Sequence, residues 1–439
     1  MSQPDLAFVR TEQAETLPAP ISNVGAFGWM REHLFSGLWN TVLTILGLYI
    51  LYLLIPPLLN FAIFDAIWTG EDREACLATA GGHVGACWPY VDAKLDQFIY
   101  GRYPIEERWR VNIVFLLGFL GLVPLAIPAA PFKRFNAIFF FGIYPVISVV
   151  LLTGGGFGHP AWLWALIVLL TLAAAGLALL PVFVGQAKVE DQLPALGMAG
   201  MVFAIPAAAV WLMTVDFGLE PVETPLWGGI LVTLVIAVTG IVASLPIGIL
   251  LALGRRSDMP MVRLVCIIFI EFWRGVPLIT ILFMSSVMLP LFLPENVTFD
   301  KLLRALIGVA FFASAYMAEV VRGGLQAIPN GQYEGARALG LGYWQMMNLI
   351  VLPQALKLVI PGIVNTFIGL FKDTTLVLII GLFDLLGTIQ LSFTDPKWST
   401  PVTSHTGYLF AAIFYWIFCY GMSRYSLYME KKLSAGERR

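Results

Sequence analysis

Three observations predict an all-α, polytopic membrane fold for this chain of 439 residues. Apolar residues make up 59% of it and charged residues only 12%. A soluble domain carries about 25% charged residues, so most of this surface is expected to meet hydrocarbon. Ten stretches approach the roughly 20 mostly apolar residues that a helix needs to cross a bilayer core. Lys and Arg gather in alternate connecting segments, which sets an orientation with both ends inside. The net charge of −2 offers no basic face for nucleic acid.

Taken in order, residues 1–30 are polar, carry no basic segment followed by an apolar run, and read as a short cytoplasmic tail. Residues 31–225 read as a membrane extension with spans at 34–57, 111–130, 135–153, 161–184 and 195–216. Its one large polar piece, residues 58–110, falls outside and holds Trp68, Glu71, Asp72, Trp88, Tyr90 and Asp96. Cys76 and Cys87 lie in that loop and can pair if it faces an oxidising compartment, although spacing alone does not decide it. Cys266 and Cys419 sit in apolar runs and read as buried thiols. Residues 226–430 carry spans at 226–253, 264–291, 303–321, 352–371 and 408–427. A further apolar run, 374–393, is interrupted by Asp384 and Gly387 and reads as a half-inserted helix. Residues 431–439 form a basic cytoplasmic tail. The inside segments contain Arg10, Arg31, Lys133, Arg134, Lys188, Arg255, Arg256, Arg263, Arg322, Arg337, Lys357, Arg424, Lys431, Lys432, Arg438 and Arg439, against Lys301, Arg304, Lys372 and Lys397 and five more in the loop 58–110 on the external side.

The loop at 329–353 is the most informative segment. Asn330 is placed to cap a helix and Gly340 to stop it. The two to three turns between them are small at Gly335, Ala336 and Ala338 and charged at Glu334 and Arg337. Small residues let another backbone approach, and charges set its register. A short inside helix shaped to fit a partner is the expectation.

The order Glu334, Gly335, Ala336, three residues, Gly340, nine residues, Ile350, one residue, Leu352, Pro353 resembles the coupling-loop signature of ABC importer permeases. Gly335 departs from that family's alanine by one methyl group. Pro246-Ile247-Gly248, Leu253-Gly254-Arg255-Arg256, Glu271 through Leu278, Ala318 through Gly324 and Leu370 through Leu376 are similar to the polar-amino-acid branch. The multi-span extension resembles permeases of general L-amino-acid and glutamate/glutamine/aspartate/asparagine importers. The resemblance implies a five-span type I permease core preceded by about five further helices, in a bacterial inner membrane. It implies transport of polar L-amino acids, with acidic amino acids and their amides as candidates. It also implies two ABC ATPase subunits, a second homologous permease (a different chain or a second copy), and a periplasmic amino-acid-binding protein. ATPase coupling then falls to Glu334, Gly335, Ala336, Arg337, Gly340, Leu352 and Pro353. No Gly-Lys dipeptide occurs, so the phosphate-cradling loop of a nucleotide-binding subunit is missing. ATP is expected on the partners, with no cofactor here and no enzymatic site.

Charge at membrane depth costs about 2.5–3.5 kcal/mol on insertion scales and is kept where it pairs or lines a path. Glu271 and Arg274 lie one turn apart, placed to pair with each other, either as a structural bridge or as substrate contacts. Lys372 and Asp373 offer both signs to a zwitterion at a broken helix end, with Asn365 and Thr366 before them and Thr374 and Thr375 after. Glu319 and Arg322 are expected in interfacial structural roles. His33, His83, His159 and His405 are scattered, so no metal site or histidine chemistry is expected. An ion-coupled secondary transporter is the alternative. It calls for carboxylates within spans of both halves, and the first five spans offer none.

Overall fold

The computed structural model describes residues 25–77, 84–156, 161–183, 193–292 and 299–434. They fold into two compact units, residues 1–89 and 90–439. Division by packing falls after Pro89. Most of the expected tails lies outside the described residues, but helix α1 (Gly25–His33) occupies the end of the first.

In the first unit α2 (Leu38–Leu59) is apolar on every side, as a span must be. It contains Pro56 and Pro57, which supply no N–H to the helix ladder, and it runs on through a π turn, Asn60–Phe64. The span thus reaches Phe64, beyond the expected 57. After it the chain folds back: Ile67 and Cys87 form a bridge, Trp88 donates to Ala62 O at 2.9 Å, and Trp68 stacks on Trp88. A disulfide joins Cys76 to Cys87 across a Cα separation of 5.7 Å. The expected external loop is therefore an organised lobe, and its second part is helix α3 (Trp88–Tyr100).

The second unit continues through α4 (Arg108–Ala126), α5 (Lys133–Ile138), α6 (Tyr144–Thr153), α7 (Ala161–Phe183) and α8 (Leu193–Thr214). There follow α9 (Gly229–Arg255), α10 (Pro260–Gly275), α11 (Leu278–Phe283), α12 (Lys301–Ala327), α13 (Asn330–Ala338), α14 (Tyr343–Met346) and α15 (Leu352–Leu358). The chain closes with α16 (Ile360–Asp373), α17 (Leu385–Ser392) and α18 (Thr403–Ser434). Among the described residues seven helices are long and apolar enough to cross a membrane, or eight if one bent pair counts. Helices α7 and α8 stand where the fourth and fifth spans were expected.

Helices α9 and α12 form the centre because small residues let them close. A Cβ on Gly248 would lie 2.8 Å from Met317, and one on Gly240 3.1 Å from Val309. At the N-terminal end of α9, Leu231, Ile236 and Val309 share one apolar core with Val111, Val114 and Leu152 of the extension. At its C-terminal end Ala252, Leu253, Ile270, Met317 and Val321 form a second core, which Ala336 and Val351 join.

Two expected spans are corrected. The stretch 264–291 is not one helix: α10 stops at Gly275, and the chain turns through 102° into the helical segment Leu278–Phe292. Pro277 forces Val276 into extended backbone, and that residue ends α10. The ninth span begins at Ile360, not 352, and continues past Asp373 as a 3₁₀ turn to Ile380. Only residues 381–393 of the separate run therefore remain, and there Asp384 caps α17 by accepting from Gly387 N at 2.9 Å and Leu386 N at 3.3 Å. Helix α18 starts earlier and ends later than 408–427, and so includes the first residues of the expected basic tail.

Candidate functional site

The segment expected to couple to a partner folds as a nine-residue helix, Asn330–Ala338. Asn330 is its first residue and caps nothing; Pro329 precedes it with no side-chain cap. The stop does fall at Gly340, whose φ of +74° suits a residue without Cβ. Its N–H donates to Arg337 O at 2.9 Å, and Leu341 N–H donates to Ala336 O at 3.2 Å. This paired closure satisfies the carbonyls at the helix end.

The small residues of α13 do not form one outward face. Ala336 is 2% exposed and packs into the core of Leu325, Ile328, Met346, Met347 and Val351. It is the foot on which the helix stands. Glu334, Gly335, Arg337, Ala338 and Leu339 remain exposed, Leu339 at 78%. A Cβ at Gly335 would meet nothing within 4 Å. Leu352 is half-buried and Pro353 exposed, so the end of the signature belongs to the mounting of α13 more than to its open face. Arg256, at the end of α9, donates to Leu325 O at 3.0 Å and to the Tyr333 hydroxyl at 3.1 Å. The Tyr333 hydroxyl in turn donates to Leu325 O. Gln354 donates to Gln332 at 3.1 Å and fastens the helix to α15.

One residue before Arg256, Arg255 turns to the charges expected at membrane depth. It contacts Glu271 at 2.9 Å and Glu319 at 2.8 Å. Glu319 also takes Arg322 at 2.6 Å and Arg274 at 3.7 Å. Glu271 and Arg274 therefore do not pair with each other, because the guanidinium of Arg255 lies between two carboxylates and takes Glu271. Arg274 lies over the Tyr316 ring at 5.7 Å and in the last turn of α10, where the helix dipole favours a cation. Glu319, 16% exposed, is the hub, drawn in from the interfacial role expected for it. Three guanidiniums face two carboxylates, an excess of one positive charge.

The stretch at 365–374 divides by face. Asn365 and Lys372 are exposed and seven residues apart, and a Cβ on Gly369 between them would meet nothing. The spacing i, i+4, i+7 places all three on one side of α16. Asp373 is half-buried beside Lys372. Thr374 is 1% exposed and gives its hydroxyl to Phe371 O at 2.8 Å, so its expected place in the path is corrected to a structural one. The helix is not broken after Lys372 and Asp373 either; it tightens into the 3₁₀ turn. Among the described residues Glu271 and Arg274 share no ion pair with Lys372 or Asp373, so the two sets stand on different elements.

Sequence reasoning missed Arg255, Arg256 and Tyr333 as working parts. The Arg255-Arg256 pair at the end of a long apolar run was the available signal.

A family profile described as the inner membrane component of binding-protein-dependent transport systems matches residues 244–435. The chain is similar to the inner membrane amino-acid ABC transporter permease YhdY of Escherichia coli (strain K12), with 46% identity over 95% of this chain and 96% of that protein. It is also similar to BztC of Rhodobacter capsulatus, a glutamate/glutamine/aspartate/asparagine transport system permease, with 43% identity over 99% of this chain and 100% of that one. Among solved structures, an amino acid ABC transporter crystallised with histidines is 27% identical over 46% of this chain and 92% of its own, at a TM-score of 0.41. The chain belongs to the inner-membrane amino-acid ABC transporter permeases, the membrane components of binding-protein-dependent transport systems.

Proposed function

We propose that this chain carries polar L-amino acids, with acidic amino acids and their amides foremost, across the inner membrane as one of two homologous permeases. Two ATPase subunits bind from the cytoplasm and grip the coupling helix of each permease, which in this chain is α13; a periplasmic binding protein delivers the substrate, and both termini lie inside. Residues 226–430 are the transport domain, residues 31–225 its extension and residues 329–353 the coupling loop. The name of the Rhodobacter relative supports the substrate class. Similarity along nearly the whole of two permeases supports the assembly.

The observation that carries the mechanism is the division of labour between two adjacent arginines. Arg256 holds the mount of α13, while Arg255 holds the charge cluster on α10 and α12. A displacement of α13 by closing ATPases therefore reaches Glu271, Glu319 and Arg274 through one rigid helix end. Alternating access needs a two-state element that ATP and substrate both bias, and α13 with this cluster forms one. Along the path, Asn365, Lys372 and Asp373 present both signs to a zwitterion, and Glu271 with Arg274 forms its cytoplasmic end. Ion coupling finds no support, since the charges cluster beside the coupling helix and not in matched positions of two halves.

The test is Gly335→Arg. The open space at Gly335 admits the side chain, so membrane insertion and folding are expected to persist. Substrate-stimulated ATPase activity and uptake should fall more than tenfold. Normal stimulation in the assembled variant complex would remove the docking role of α13.

A further inference from the structure

Helix α3 is attached to the transport domain in two chemically different ways. Its C-terminal root is tight. Gly101 (φ +67°) and Gly229 (φ +62°) bring two backbones so close that a Cβ on Gly229 would lie 2.0 Å from Phe98 O and one on Gly101 2.4 Å from Gly228 Cα. Just beyond, Tyr103 donates to Leu152 O at 3.0 Å. Arg110, 1% exposed, donates to Glu220 O at 2.7 Å and pairs with Glu107. Phe98 packs on Phe410 at 5.6 Å. Toward the N-terminus of α3 the joint becomes polar. Tyr90 meets Ser392 Oγ at 2.5 Å, and because Ser392 gives its own proton to Ile389 O, Tyr90 is the donor. Lys94 forms an ion pair with Asp395, the two side chains 20% and 27% exposed. Asp395 is presented by a tight turn in which it also accepts from Lys397 N at 2.9 Å.

What α3 holds at that polar end is the terminus of α17, on the chain that follows the pathway stretch. The other end of α17 is held by α9. Gly229 N–H donates to Phe383 O at 2.9 Å and to Thr388 Oγ1 at 3.0 Å, and Leu385 N–H donates to Thr233 Oγ1 at 3.0 Å. Asp384 receives the Tyr415 hydroxyl of α18 at 3.0 Å. The Thr374–Ile380 turn runs from Lys372 and Asp373 to this bracketed segment with one short connection. A change at residues 372–374 must move α17, or be resisted where α17 is held.

We propose that α3 is a clasp on the outward gate: Tyr90 and Lys94 hold the end of α17 in this state, and their release from Ser392 and Asp395 accompanies opening to the outside. The buried glycine root is the pivot. One ion pair and one hydroxyl contact can part and re-form on each cycle, which packed apolar surface does not do cheaply. This gives the N-terminal extension a function in transport, and it rests on the importer reading above.

The experiment uses the full complex with its ATPase subunits in lipid nanodiscs, measuring ATP hydrolysis with and without loaded binding protein. Lys94→Glu and Asp395→Lys should each raise unstimulated hydrolysis about two- to fivefold, the population shift carried by a partly exposed ion pair. The double exchange should return it to the parent value, and Tyr90→Phe should move it in the same direction as the single variants. Assembled single variants with an unchanged ratio of stimulated to unstimulated hydrolysis, or a double exchange that fails to rescue, overturn the clasp. If charge reversal prevents assembly, Lys94→Gln and Asp395→Asn give the same reading with smaller perturbation. A parent complex that shows no stimulation by binding protein would instead count against the importer reading.

Discussion

Glu319 is the residue on which most of the charged chemistry converges. Removing a hub carboxylate leaves cations facing one another, and the penalty of the unpaired groups exceeds the worth of any one contact. Glu319→Gln is expected to destabilise the assembled complex by about 1–3 kcal/mol, below the fully buried case because its partners are partly exposed. Thermal unfolding in detergent reads this, and adding Arg274→Gln should recover part of the loss; a neutral single variant would remove the hub. At the clasp, hydrogen bonding from Lys94 is the main cause holding the Asp395 carboxyl below the usual range. A depressed carboxylate contributes stability that is present above its unfolded value of about 3.9 and lost as pH falls through the lower folded one. Burial pushes the Tyr90 phenol up to about 12, so it remains a donor. The ratio of stimulated to unstimulated hydrolysis should therefore show no step from these groups between about pH 5 and pH 8. A step in that window which Asp395→Asn abolishes would contradict the assignment.

Among the elements, two glycine sites separate backbone need from helix preference. Gly229 begins α9 at positive φ against Phe98 O, so Gly229→Ala is expected to lower thermal stability sharply, with strain and contact each costing about 1–3 kcal/mol. Gly335 lies on an open helix face, where Gly335→Ala should stabilise α13 by about 0.5–1 kcal/mol and supply the alanine of the family pattern. Equal responses at the two sites, read by the same melting curves, would contradict this account. The elements also show where sequence reading succeeded. Long apolar runs found α9, α12 and α18 because a helix that crosses a bilayer core needs about 20 mostly apolar residues, whether it faces lipid or other helices. The break in the seventh span was written in Val276-Pro277, but a hydropathy window averages across a single proline. The direction of Ala336 was hidden for another reason: a small residue fits equally well under a core and against a partner. Glu271 and Arg274 looked like a pair because i, i+3 spacing is local information. The competing guanidinium comes from another helix sixteen residues away.

At the scale of the whole molecule, described residues on the two sides of position 225 share their packing. Val111, Val114 and Leu152 enter the same core as Leu231 and Val309, so the composition change near residue 225 marks no mechanical seam. This was illegible in the sequence because apolar side chains announce burial without naming their neighbours. The class of the molecule was legible, because six fixed positions of a short motif carry more information than composition. The Cys76–Cys87 bond has a consequence for how the polypeptide is threaded. Such a bond endures only where thiols are kept oxidised, which in a bacterium means beyond the cytosol. The lobe that contains it directly follows the first hydrophobic crossing, so the orientation proposed above, with the N-terminus inside, is the one that puts this bond in an oxidising compartment. This one covalent link supports that proposal independently of any count of lysines and arginines.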